Sequence, residues 1–429
     1  MNHARNLLLL LLLAVGLLGA SFVVKGRLAV EPPLWAEEEL EMTGTIELIP
    51  TPEPTPKPTP EPTPEPTPVP TAQTVPLTVS YRGKPVDALT DGDYNTSKNF
   101  MPNEPMLIEA EQPIRALYIQ WDYTPTPWTL TCAQTQLSQG THGYHHEYIV
   151  LPQAVTGVEM MLPAGEEPWL AEIYGLTEGA RPDWVQDWEE PWEQADLLVF
   201  PTHSDDEFIF LGGVIPYYVD QGKRVQVAYV VRHNGNRYHE MLDSLWAAGV
   251  THYPVTSNKA DVYQNTMGGA INYYKPDYMT AYMTEQLRRF QPQVVVGHAE
   301  DGDSGHIVHI FGVNCLKDAV AQSGDAGFCP QSAERYGVWD VPKTYLHLYG
   351  EPENMVTMDF DRPLASFEGL SAWDAADRAF SLCVSQYQAG KYKVYRADSV
   401  HDSSKFGLYR STVGEDVEKN DLFENLESR

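Results

Sequence analysis

Basic residues are scarce in this chain of 429 residues: 29 Lys and Arg stand against 59 Asp and Glu, a net charge of −30. That balance argues against nucleic acid or anionic membrane surfaces as partners, because both are held by clustered Lys and Arg. Cysteine is scarce too, with four in all, and none has zinc-finger spacing. In an exported chain they permit disulfides. Cys315 and Cys329, on either side of a Gly-containing loop of 13 residues, are the natural pair, while Cys132 and Cys383 lie in different domains, as free thiols or a bridge. Aromatic residues are plentiful, with 24 Tyr and 10 Trp, which suits sugar-stacking surfaces and ordinary cores alike.

The length has room for two or three domains. Residues 7–24 form an apolar run between Arg5 and Lys25, so 1–30 read as a signal peptide or an N-terminal membrane anchor, with the rest of the chain outside the cytoplasm. Residues 31–74 are acidic, then Pro/Thr-rich, and the Thr-Pro-Glu-Pro units of 50–71 have a composition that favours polyproline II and spans roughly 60–70 Å as a stiff spacer. Over 75–178, short strand-like pieces at 77–81, 106–110 and 117–121 alternate with turns, the pattern of a β-sandwich. Asp91 and Asp93 sit in one turn that either binds calcium or is simply Gly-flanked. Trp121, Tyr123 and Trp128 suggest a carbohydrate platform or plain packing. Residues 179–195 form an acidic connector whose Trp184, Trp188 and Trp192 are costly to leave in water, at roughly 25 cal/mol per Å²; they are expected to clamp its neighbours together.

The last domain, 196–429, is organised around one stretch. Leu197-Leu198-Val199-Phe200 reads as a buried strand of a parallel sheet. The chain then turns and places His203, Asp205, Asp206 and Glu207 within five positions. Polar residues at the carboxyl end of a central strand lie where open α/β sheets build their sites. Helix capping explains one such residue, not a His and three acids. His203 with Asp206 makes half of a divalent-metal site. Further strands at 224–231 and 293–297, alternating with helices at 208–221, 238–248 and 283–290, predict a parallel, doubly wound sheet. The second of these strands leads to His306 and His309, three apart at a helix start and so on one side of it. The tail from Glu415 is expected to be a solvated helix or a frayed end.

Thr202-His203-Ser204 before Asp205-Asp206-Glu207 resembles the opening motif of the PIG-L / LmbE-like zinc-dependent de-N-acetylases, whose usual form is Ala-His-Pro before Asp-Asp-Glu. His306-Ile307-Val308-His309 resembles that family's second motif, and Arg237-Tyr238-His239-Glu240 its Arg-x-x-Glu element. The resemblance covers a little over half the chain and implies a Rossmann-like fold with one Zn²⁺ per chain. It makes His203, Asp206 and His309 the metal ligands, Asp205 the general base acting on zinc-bound water, and His306 the group facing the reacting carbonyl. Arg237 becomes either a substrate contact or a helix-start ion pair, and His347 either lines the substrate pocket or is a satisfied core histidine. The implied substrate is an N-acetylglucosamine-containing glycan or glycoconjugate.

The chain departs from the family where it has Ala299 for an acid, Ser304 for a Tyr two residues before the first His, and Cys383 for the His of a His-x-Ser-Gln element. Ahead of this domain, Leu89-Thr90-Asp91-Gly92, Thr96 and the segment 114–119 resemble galactose-binding-like (discoidin-type) modules, which implies possible cell-wall binding. The rival readings are a non-catalytic cell-wall or glycan-binding protein with a degenerate catalytic half, and a zinc amidase for another amide.

Overall fold

The computed structural model describes residues 69–165, 168–387, 392–427 and 429. The expected signal or anchor and nearly all of the Pro-rich spacer lie outside these residues. Among the described residues, no helix is long and apolar enough to cross a membrane.

The first part is a nine-stranded antiparallel sheet: β1 (Thr74–Val75), β2 (Leu77–Tyr81), β3 (Lys84–Pro85), β4 (Lys98–Asn99), β5 (Pro105–Trp121), β6 (Trp128–Cys132), β7 (Thr135–Gln139), β8 (His146–Met161) and β9 (Trp169–Leu176). Two strands expected separately are one, because β5 runs 17 residues and slips register against β8 between Glu109 and Ala116. Met106 and Ile108 before the slip pack into the same core as Leu117 and Ile119 after it. Trp121 and Trp128 are buried there, and both indole N–H groups donate to Glu147 Oε2, at 2.7 and 3.0 Å. They are therefore core residues and not an open platform. Of the three aromatics, only Tyr123 is exposed, on a cleft of about 320 Å³ shared with Trp169. The Asp91 and Asp93 carboxylates accept hydrogen bonds from Asp93 N, Thr96 Oγ1 and Asn95 N within their own turn.

The second part is a seven-stranded sheet of β10 (Leu197–Phe200), β11 (Val225–Tyr229), β12 (Val255–Thr256), β13 (Val294–Gly297), β14 (Lys343–His347), β15 (Val356–Thr357) and β16 (Lys405–Ser411), in the order β12-β11-β10-β13-β14-β16-β15. The first five are parallel, but β16 pairs antiparallel with both β14 and β15. The sheet is mixed, where the sequence suggested an all-parallel one. The physical reason lies in burial: β10, β11, β13 and β14 are buried at every position, as parallel strands covered on both faces must be, whereas β16 is half-buried and tolerates an antiparallel edge.

Side chains of β10 alternate between two cores. Leu197 and Val199 pack with α1 (Asp206–Ile209), α2 (Val214–Asp220), α3 (Asn236–Ala247) and, later in the chain, the helix Ala372–Phe380. Leu198 and Phe200 pack with α4 (Met267–Tyr274), α5 (Pro276–Phe290) and α6 (Ile307–Gln322). The helix expected over 208–221 is split because Gly212 takes φ 55°, and at Gly213 a Cβ would stand 2.7 Å from that of Ala372.

The two sheets meet through named contacts. His145 N donates to Tyr253 Oη at 3.0 Å, the His145 ring stacks on Tyr238 at 3.9 Å, and His146 Nε2 lies 2.8 Å from His239 Nδ1. The connector tryptophans divide: Trp184 leans on Tyr118 and Tyr174, Trp188 on Trp246 and Tyr253, and Trp192 stacks on His252.

All four cysteines are free, so the expected Cys315–Cys329 bridge is absent. Cys315 faces the core from α6, while the Cys329 carbonyl is taken by Arg288 Nη1 at 3.0 Å. The tail also differs from expectation. Leu422 and Phe423 are core residues, and the buried Asp416 carboxylate accepts from Lys343 Nζ and from Tyr345 Oη, the latter at 2.7 Å. Lys343 and Asp416 compensate each other out of water, so removing one strands the other. Lys343→Met is expected to cost about 3–5 kcal/mol in urea unfolding, and adding Asp416→Leu should recover part of it.

Candidate metal centre and active site

The register Leu197↔Val294 through Phe200↔Gly297 places the carboxyl ends of β10 and β13 side by side. The loops that leave them carry the site. His203 and Asp206 follow β10, and His306 and His309 stand at the start of α6, beyond β13. Three ligand-type atoms converge: His203 Nδ1 and Asp206 Oδ2 are 3.1 Å apart, His203 Nδ1 and His309 Nε2 are 3.0 Å apart, and His309 Nε2 and Asp206 Oδ2 are 3.1 Å apart. Tetrahedral zinc with bonds of 2.0–2.1 Å separates its ligands by roughly 3.3 Å. Two imidazole nitrogens and a carboxylate oxygen in one triangle share a single opening, and the donor set suits Zn²⁺.

Other groupings exist among the described residues. His203, His306 and His309 also lie within reach of one ion, as do Asp206, His298 and His309. The second is less free, because His298 Nε2 accepts the Thr202 N–H at 3.0 Å and has no lone pair left for a metal.

Asp205 stands next to the triangle in a strained conformation, φ 155° and ψ −29°, outside the regions open to L-residues. Glu207 holds it there: the Glu207 Oε2 accepts Asp205 N at 2.9 Å, and its Oε1 accepts Tyr229 Oη at 2.6 Å. Burial pushes the Glu207 carboxyl up to about 7. Burial, then the adjacent Asp206 charge, raises Asp205 well above the usual carboxylate range, with Arg237 opposing. Asp206 goes the other way; its burial is outweighed by His309 and His203, which hold it well below that range. His306 is half-buried, and burial followed by the neighbouring His309 and His203 lowers it to about 4. It is therefore neutral at pH 7.

Arg237, near the start of α3, donates to Ser204 O at 2.9 Å and sits 3.4 Å from Asp205 Oδ2. Its partner in the motif, Glu240, accepts Ser385 N at 2.9 Å and Ser385 Oγ at 2.6 Å, tying the Cys383–Ser385 segment to the same helix. His347 does not line the pocket. It is fully buried, with Nδ1 on Asp303 Oδ1 and Nε2 3.1 Å from Asp402 O, so it is the satisfied core histidine.

The residues missed from sequence are the supports. Asp303, in a left-handed conformation at φ 64°, meets His347 and His298 and faces His309 Nδ1 at 3.8 Å. Burial opposes its charge, but His298 and the other imidazoles hold it well below the usual range. Asp261 comes from a separate loop and faces His203 Nε2 and His233 Nδ1, both at 3.6 Å. Carboxylates behind metal-binding histidines orient the ring and set its tautomer. Asp303 stands only three residues before His306, and no spacing rule marks it; Asp261 is far from every motif.

Comparison with models of known protein families finds no match. Part of the chain is nevertheless similar to a class of sugar deacetylases. Over 195 residues, 39% of its length, it is 26% identical to the 1D-myo-inositol 2-acetamido-2-deoxy-alpha-D-glucopyranoside deacetylase of Streptomyces scabiei, covering 59% of that protein. Against the enzyme of the same name from Acidothermus cellulolyticus it is 27% identical over 33% of its length, covering 61% of that protein. The chain thus spans somewhat more than half the length of these relatives. Among solved structures it is similar to the N,N'-diacetylchitobiose deacetylase of Pyrococcus horikoshii, at 19% identity over 47% of this chain and 74% of that one, with a TM-score of 0.34.

If the triangle is the metal centre, His309→Ala and Asp206→Ala should each lower zinc content well below that of the parent protein in atomic absorption after dialysis. His347→Ala, outside the triangle, should retain the metal. Unchanged zinc in His309→Ala would remove it from the ligand set.

Proposed function

We propose that this protein is a zinc-dependent de-N-acetylase that hydrolyses the acetamide of N-acetylglucosamine-containing glycans or glycoconjugates. The observation that carries the reading is the triangle of His203 Nδ1, Asp206 Oδ2 and His309 Nε2 with the carboxylate of Asp205 beside it. The relatives named for an acetamido-glucopyranoside support the substrate class.

His203, Asp206 and His309 would hold the ion, which when bound supplies Lewis-acid polarisation and makes water more acidic. Asp205 takes the proton of the attacking water, and burial together with the adjacent Asp206 charge raises its affinity for that proton. Arg237, 3.4 Å from Asp205 Oδ2, fixes the direction of that carboxylate. His306, a neutral ring 4.9 Å from His203 and 4.4 Å from His309 between centroids, offers an N–H to the oxygen that gains charge as the carbonyl is attacked. Its Nδ1 is buried without a hydrogen-bond partner and is therefore uncommitted. The proton held by Asp205 then passes to the leaving amine, and acetate is released. Ser304 is exposed and too short to assist from its position.

By the apolar run at 7–24, we place the enzyme outside the cytoplasm, either secreted or anchored by its N-terminus. A sandwich-like, glycan- or wall-binding role for the amino-terminal sheet belongs to the same proposal.

Metal content of the purified full-length chain, followed by acetate release from chitooligosaccharides, tests the reading. The expected result is about one zinc per chain together with acetate. Asp205→Asn should keep the zinc and lose on the order of 10²–10⁴ in rate; an active variant takes Asp205 out of the base role. Zinc without acetate moves the substrate to another amide, and no metal after reconstitution favours a binding protein.

A further inference from the structure

We propose that Tyr263 is the sugar-binding platform of this site, stacking its ring against the apolar face of the hexose whose acetamide enters the metal centre. The inference rests on the deacetylase reading and adds a specificity residue that lies outside every motif of the sequence.

Tyr263 is 74% exposed, the most exposed Tyr, Trp or Phe among the described residues. A ring left in water at roughly 25 cal/mol per Å² is unfavourable, and nothing in the fold is gained by it. Its place is specific. The ring centroid stands 6.1 Å from that of His306, with the planes inclined at 67°. Tyr263 therefore flanks the side chain that faces the reacting carbonyl.

The loop that presents it, between β12 and α4, is fastened in the residues that lead up to it. Arg232 N donates to Lys259 O at 2.7 Å, and Asp261 N donates to Arg232 O at 3.0 Å. Tyr274 Oη accepts Val262 N at 3.0 Å and donates to Val262 O at 2.9 Å, immediately before Tyr263. Asp261, two residues earlier, faces His203 and His233 at 3.6 Å. The same short segment thus reaches the metal-ligand histidine with one side chain and leaves an aromatic face open with another. A ring whose preceding backbone is tied down at Lys259, Asp261 and Val262 is a largely preorganised surface, and binding to it costs little ordering. Hexoses present C–H groups on one face, which pack on aromatic rings, and the acetamide of a 2-acetamido sugar hangs from the ring edge. Phe210, the ring against His309, does not serve, because it is buried.

The test uses the full-length zinc protein and chitotetraose as probe, with calorimetric binding and steady-state acetate release. Tyr263→Ala is expected to weaken binding and raise KM roughly tenfold, with kcat within about twofold and zinc content unchanged. Tyr263→Phe and Tyr263→Trp should keep affinity, because only the face is used. Parental Kd and KM in Tyr263→Ala overturn the platform. Loss of kcat in Tyr263→Phe equal to that in Tyr263→Ala also overturns it, assigning the work to the phenol O–H. If the parent releases acetate and the alanine variant is normal, the platform alone falls. If the parent neither binds nor hydrolyses the sugar, the deacetylase reading falls first and the platform with it. If it binds without hydrolysis and Tyr263→Ala binds more weakly, the platform stands and the reaction class falls.

Discussion

Everything in the carboxyl-terminal part depends on the pairing of β10 with β13. Four parallel register contacts, Leu197 with Val294 through Phe200 with Gly297, hold two loops side by side at the carboxyl ends of central strands. Those loops would otherwise be unrelated, since His203 and His309 are separated by 106 positions. The pairing is secured by burial on both faces; full burial of a Val, Leu or Phe side chain is worth roughly 1.5–3 kcal/mol. A one-residue slip would exchange the two cores and carry His203 away from His309. The strands thus set the precision of the triangle, and the loops need only supply the chemistry.

Around that triangle lies a shell of buried charge that the sheet can tolerate only because it is paired. Asp303 would be costly alone in the core, yet it gathers three imidazoles from β14, the β13 loop and α6. Glu207 pins the strained Asp205 backbone through one oxygen and takes Tyr229 Oη on the other. Strain of this kind persists where neighbours over-determine the conformation. Together these contacts let Asp205 and Asp206, adjacent in sequence, have opposite proton affinities: one carboxyl is raised by burial and its neighbour, the other is lowered by two histidines. A pair divided in this way can assign one member to a proton and the other to a cation.

The amino-terminal sheet is joined to the α/β part through His145, His146 and Tyr94 against Tyr238 and His239, all on the helix that begins with Asn236 and Arg237. The helix that steadies Asp205 from one end is therefore packed against the β-sheet part along its side. The link makes the two parts mechanically continuous.

Much of this was legible in the sequence. Runs such as Leu197–Phe200 and Val294–Gly297 can be little else than buried strands, because so many apolar residues in so short a span must be covered on both faces. His203, Asp205 and Asp206 were legible because they follow such a strand at once, and His306 and His309 because they stand three apart in the segment that the second such strand leads into. The antiparallel return of β16 was not, since its mixed pattern says only that it is half-buried. The buried tail was not, because Asp416 becomes a core residue only by meeting Lys343, 73 positions away. Asp261, Asp303 and Tyr263 were not, because their roles are defined by distance to histidines on other loops. Local composition and periodicity determined which segments are strands and which His and Asp residues stand as candidates for the chemistry; the tertiary structure alone decided which of them meet, because contact across the sheet is set by register and loop path, and neither is written in any one segment.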